Sequence, residues 1–178
     1  MLGAPGSTLP SAPAPEPVPI PRLVQVLALA RATGASVNLE IKNQPTDPDF
    51  DATHLFATRV MNAVVASGLP RERIIVQSFW PANLEVAKLR APGVALSLLT
   101  LAAMNDGGPA FAAGLGYQWV SPGGVPTPLY MTQARLLGRR VVPYTLNTPA
   151  DVRAAAAAGV DAVITDDPRM ARAALLGP

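Results

Sequence analysis

Glu40 and Lys42 end a run of alternating character, Val37-Asn38-Leu39-Glu40-Ile41-Lys42. Side chains in a strand alternate between faces, so Asn38, Glu40 and Lys42 fall on one side and Val37, Leu39 and Ile41 on the other. An acid so placed can hold a cation while a base beside it meets an anion. The spacing alone favours a plainer arrangement, an ion pair between Glu40 and Lys42 at the rim. Asp47, Asp49 and Asp51 also alternate, but Pro48 interrupts them, and a calcium loop's central glycine and distal glutamate are missing. They read as a solvated loop in which Asp51 or Thr53 caps a helix. Asp166 and Asp167 are adjacent and would point apart in a strand, so one of them is expected to cap the helix that Pro168 opens.

His54 is the only histidine, and there is no cysteine. It falls near a helix start with no carboxylate at ligand spacing, and is expected to be a surface or satisfied structural residue. Carboxylates are then the only evident general bases, and chemistry that needs two histidines cannot be completed from these residues. The absence of cysteine also excludes disulfides, thiolate metal sites and thiol nucleophiles. A net charge of +2, with Arg135, Arg139 and Arg140 the densest basic group, makes no phosphate-tracking stripe. Nucleic acid is therefore not an expected partner. No apolar run reaches the roughly 18–20 residues of a membrane span, and no secretory signal is visible, which points to the cytoplasm.

The elements that would position these residues follow a regular beat. Residues 1–21 carry seven of the 20 prolines and one charged side chain, Glu16. Proline removes a donor and restricts its neighbour, so this stretch reads as a flexible leader before a domain over 22–178. Apolar spacing then predicts helices from Pro21 to Gly34, over 52–67, 81–90, 110–115, 127–138 and 149–158, the last capped by Thr148 and Gly159. Strands are predicted between them at 36–41, 73–79, 94–99, 117–121, 140–145 and 160–165. Six strands, each reached through a helix, describe a parallel sheet covered by helices. Polar residues end four of the strands: Glu40 with Lys42, Gln77 with Ser78, Thr145 with Asn147, and Thr165 with Asp166. Such a distribution favours the converging rim of a barrel over the single switch point of an open sheet. No glycine-rich nucleotide fingerprint or phosphate loop occurs. The fold class is therefore α/β, a TIM-like (β/α)8 barrel with about six strands and without its N-terminal ones, since 22–178 falls short of the ~250 residues such a barrel typically needs.

Four strings in order, Val37-Asn38-Leu39-Glu40-Ile41-Lys42, Ile74-Ile75-Val76-Gln77-Ser78-Phe79, Tyr144-Thr145-Leu146-Asn147 and Gly159-Val160-Asp161-Ala162-Val163-Ile164-Thr165-Asp166-Asp167-Pro168, resemble the C-terminal two-thirds of the glycerophosphodiester phosphodiesterase family, from about Ile20 to Leu175. Tyr144 stands where tryptophan is commoner in the family. The resemblance implies a barrel of lipid metabolism that hydrolyses glycerophosphodiesters to glycerol 3-phosphate and an alcohol with a divalent cation, calcium or magnesium. It implies that Glu40 is a metal ligand, that Lys42 meets the phosphate, and that Tyr144 and Asn147 bind substrate. The family's two catalytic histidines and its further acidic ligands have no counterpart here. The expectation is a chain that is truncated or inactive alone, with possible self-association through its exposed sheet edges. The alternative is a non-catalytic barrel remnant serving as a binding or interaction module.

Overall fold

The computed structural model describes residues 19–101 and 106–176; most of the proline-rich leader lies outside them. Strands β1 (Val37–Glu40), β2 (Ile74–Ser78), β3 (Ala95–Thr100), β4 (Trp119–Pro122) and β5 (Arg140–Val141) pair in parallel and in sequence order. Helices α1 (Leu23–Thr33), α2 (Leu55–Ala66), α3 (Pro81–Arg90), α4 (Gly108–Gly114), α5 (Pro128–Leu136), α6 (Pro149–Ala158) and α7 (Pro168–Leu176) alternate with them. A doubly wound sheet reverses its strand order at a switch point. This sheet never does: each new strand is added on the same side, the progression of a barrel wall.

Local chemistry explains where the elements begin and end. Gly34 takes the left-handed conformation (φ 71°) that stops α1, and Gly159 (φ 80°) does the same for α6. Thr148 accepts the amide of Asp151 and Thr127 that of Tyr130, opening α6 and α5. Asp167 accepts the amides of Arg169 and Met170, so it is the expected cap of α7. No described helix is long and apolar enough to cross a membrane.

The register Val37 to Ile74, Val76 to Leu96 and Leu98 to Val120 turns one sheet face toward the helices. There Val76, Leu96, Leu98, Val120 and Val141 pack with Leu27, Met61, Leu84 and Met131, all essentially sealed from water. Each such side chain contributes about 1.5–3 kcal/mol of burial. A smaller cluster, Leu146, Val152, Ala155 and Ala171, joins α6 to α7. The other sheet face, which becomes the concave side if the wall closes as a barrel, carries most of the sheet's polar side chains. On it Asn38 Nδ2 donates to Gln77 Oε1 (2.9 Å), the hydroxyls of Ser97 and Ser121 meet at 2.7 Å, and Arg140 lies 5.2 Å over the Trp119 ring.

The described residues form five strands, not six. Residues 160–165 run beside β5 without becoming a strand, for a reason written in two side chains. The Val141 amide that should join the ladder is taken by Asp161 Oδ2 (2.8 Å), and Pro143, the next position facing that way, has no amide. The remaining bonds are irregular: Asp161 donates to the Val141 carbonyl, Ile164 to that of Pro143, and Leu146 back to that of Ile164.

Candidate functional site

Glu40 is the last residue of β1 and Lys42 follows the chain out of the sheet; both are exposed. The expected rim ion pair between them does not form. Lys88 with Glu85 (3.8 Å) is the ion pair seen among the described residues, and neither Glu40 nor Lys42 makes a hydrogen bond there. Two charges of opposite sign, with no side-chain partner among the described residues, are left for solvent or a ligand.

The backbone around Lys42 is, by contrast, firmly held. Ser78 Oγ donates to the carbonyl of Ile41 (2.7 Å), and Asn83 Nδ2 bonds the carbonyl of Asn43 (2.8 Å) and Ser78 Oγ (3.0 Å). Asn43 in turn exchanges two bonds with the backbone of Asp51. Asn43, Ser78 and Asn83 are all buried. A satisfied buried network of this kind fixes a loop more rigidly than its surface position suggests. Sequence reasoning missed Asn83 and Asn43 because their partners lie 40 residues apart; two asparagines, in the loop after one strand and the helix after the next, were the only signal.

Tyr144 comes from the extended continuation of β5. Its hydroxyl donates to the Thr100 carbonyl (3.0 Å), and its ring meets Phe79 edge to face at 5.8 Å. Burial, and then the negative charge of Glu40, push its ionisation above the ordinary value of 10.0. Glu40 and Tyr144 therefore sense each other across the concave face, although they are remote in sequence. Asn147 is otherwise engaged: its amide donates to Asp166 Oδ2 (2.6 Å), and its carbonyl oxygen accepts from the Asp166 amide and the Thr165 hydroxyl. It staples two rim loops together.

Asp51, as expected, works as a cap, accepting the amides of Thr53 and Phe56. The hydrogen bonds from the Thr53 hydroxyl and then the Phe56 amide lower its pKa below the ordinary 3.8. Asp47 closes a local turn on the Gln44 amide. His54 departs from expectation. It is half-buried, its backbone is left-handed (φ 59°), and its Nδ1 is buried with no hydrogen-bond partner, so it is neither a surface residue nor a satisfied one. A positive φ in a residue other than glycine costs free energy.

No cluster of three or more His, Cys, Asp or Glu side chains exists among the described residues. Calcium takes six to eight oxygens and magnesium near-octahedral oxygen ligands, whereas Glu40 belongs to no such cluster among the described residues. These residues do not by themselves fit a divalent cation.

Residues 4–170 match the family model described as glycerophosphoryl diester phosphodiesterase. The chain belongs to this family. The match begins well before Ile20, so it takes in most of the stretch that composition set apart as a leader. Members and candidate members of the family share the fold. A Silicibacter pomeroyi protein, described only as a candidate glycerophosphoryl diester phosphodiesterase, superposes with a TM-score of 0.74 at 28% identity over 87% of this chain and 56% of its own. An Oleispira antarctica phosphodiesterase solved with the product sn-glycerol-3-phosphate gives 0.70 at 18% identity, over 86% of this chain and 60% of its own. A Parabacteroides distasonis glycerophosphodiester phosphodiesterase gives 0.67 at 18%, over 84% and 61%. The chain thus spans about 56–61% of the length of these structures. No curated protein matches it. Within the family's barrel, the polar concave face corresponds to the barrel interior and the ends of β1 to β5 to its rim.

Proposed function

We propose that residues 22–178 form the later part of a glycerophosphodiester phosphodiesterase barrel and act as a phosphodiester-binding unit that is catalytically incomplete on its own. The observation that carries this reading is the pair Glu40 and Lys42, exposed and unpaired at the end of a strand whose flanking backbone is pinned from both sides. An unpaired ammonium rising from a pinned stretch of backbone is a point charge suited to a phosphoryl group. Tyr144, whose ionisation burial and then the charge of Glu40 raise, supports a substrate-facing role on the same face, and Asn147 ties the neighbouring loops together. Glu40 supplies one carboxylate toward a divalent cation whose other ligands these residues do not provide. Hydrolysis also needs a proton acceptor and donor near the diester. The single histidine stands at the start of α2 with its Nδ1 buried and no carboxylate partner among the described residues, so it fills neither role.

Titration of the purified 178-residue chain with sn-glycerol 3-phosphate, alongside a glycerophosphocholine hydrolysis assay with calcium or magnesium, tests this. The expected result is binding that Lys42→Met weakens about tenfold, the loss of an exposed charge contact worth roughly 1 kcal/mol or slightly more, with no turnover. Binding unaffected by Lys42→Met overturns the phosphate role. Turnover that Glu40→Gln abolishes overturns the claim of incompleteness.

A further inference from the structure

A cavity of about 330 Å³ lies at the ends of β2 and β3 beneath α4, lined by Phe79, Trp80, Leu99, Leu101 and Phe111 among others. Among the described residues no charged side chain lines it, and its polar side chains include Gln44 and Thr100. We propose that this cavity receives the alcohol portion of the phosphodiester, and that the alcohol it takes is apolar. The inference rests on the phosphate role of Lys42 given above.

Two contacts and one short stretch of chain connect the cavity to the charged rim. Phe79 is both a cavity wall and the ring that meets Tyr144 edge to face. Thr100, another wall residue, accepts the Tyr144 hydroxyl through its carbonyl. Gln44 lies two residues beyond Lys42. A diester whose phosphoryl group sits at Lys42 therefore has an apolar space on one side and the polar concave face on the other. The size falls in the ordinary range of small-molecule sites, about 300–1,000 Å³. Leu101 and Phe111 stay 59% and 48% exposed, so apolar surface remains at the mouth for a guest to cover. A serine or ethanolamine group would bring charge into a space offering no counter-charge.

The test compares diesters on the purified chain by calorimetry: the benzyl ester of sn-glycerol 3-phosphate, glycerophosphoserine and glycerophosphocholine, with free benzyl alcohol as a probe of the cavity alone. Burying about 60 Å² of apolar surface is worth roughly tenfold in affinity, so the benzyl diester should bind at least about tenfold more tightly than the serine diester. Benzyl alcohol should shift the NMR signals of the Trp80 indole and the Leu99 and Leu101 methyls. Phe111→Ala, at a half-exposed position, should bring the diesters to within about threefold of one another and leave sn-glycerol 3-phosphate binding unchanged. Equal affinities, tighter binding of the choline diester than of the benzyl diester, or no benzyl-alcohol shifts at these residues overturn the inference. Benzyl-alcohol binding that persists when sn-glycerol 3-phosphate does not bind would instead sink the phosphate reading and leave the cavity's preference standing.

Discussion

Asn83→Leu removes the amide that ties the loop carrying Lys42 to α3 while nearly preserving side-chain volume. Asn83 is fully buried, and its Nδ2 bonds the Asn43 carbonyl at 2.8 Å and Ser78 Oγ at 3.0 Å. In the variant, Ser78 keeps its bond to the Ile41 carbonyl and Asn43 Nδ2 keeps the Asp51 carbonyl, so these groups stay satisfied. The Asn43 carbonyl does not. A stranded buried acceptor costs about 1–3 kcal/mol and the further lost bond about 1 kcal/mol, which gives about 2–4 kcal/mol in all. For a chain of this size that is a fall in Tm of about 4–16 °C. Urea unfolding followed by circular dichroism measures it, with Leu89→Ser, at a position 79% exposed, as a control expected to stay within about 0.5 kcal/mol of the parent. Amide exchange at Lys42 and Asn43 should also quicken before global unfolding. A loss below about 1 kcal/mol with unchanged exchange would mean that the loop is held by something else, and the account of a pinned rim would be wrong.

Glu40→Gln removes the charge that helps raise the Tyr144 ionisation, so an absorbance titration of the tyrosinate should show Tyr144 moving down while the raised values of Tyr117 and Tyr130, set mainly by burial, stay in place. Asp51 has a folded-state pKa below its unfolded value of 3.8, so its contribution to stability is present above pH 3.8 and is lost as pH falls through the lower folded value. Asp51→Asn should therefore lower stability at neutral pH and converge with the parent in acid unfolding below that range. Gly159→Ala forces a left-handed backbone and would place a Cβ 2.6 Å from Arg135 Nη2, so thermal unfolding should show a loss of about 1–2 kcal/mol or more.

Much of the architecture is legible in the sequence because it rests on local rules. Gly34 and Gly159 end helices, Thr148 and Asp167 begin them, and β-branched runs between them form strands. Where the sequence misleads, the cause is nonlocal. Residues 160–165 have the composition of a strand, yet Asp161 occupies the donor that the neighbouring strand would have offered. Glu40 and Lys42 have the spacing of an ion pair, but the chain leaves the sheet between them. Asn83 looks like any polar residue in a first helical turn, and only the fold brings it against the carbonyl of Asn43.

The irregular ribbon beside β5 also determines how the sheet can grow. A flat edge recruits further strands through a row of free amides and carbonyls. On the β5 side that row is spoiled, with one donor capped by Asp161 and one missing at Pro143. β1 has no such blemish, and among the described residues nothing pairs with its outer edge. Among the described residues, the open and unspoiled edge of this wall is therefore the one along Val37–Glu40, immediately beside the carboxylate of Glu40.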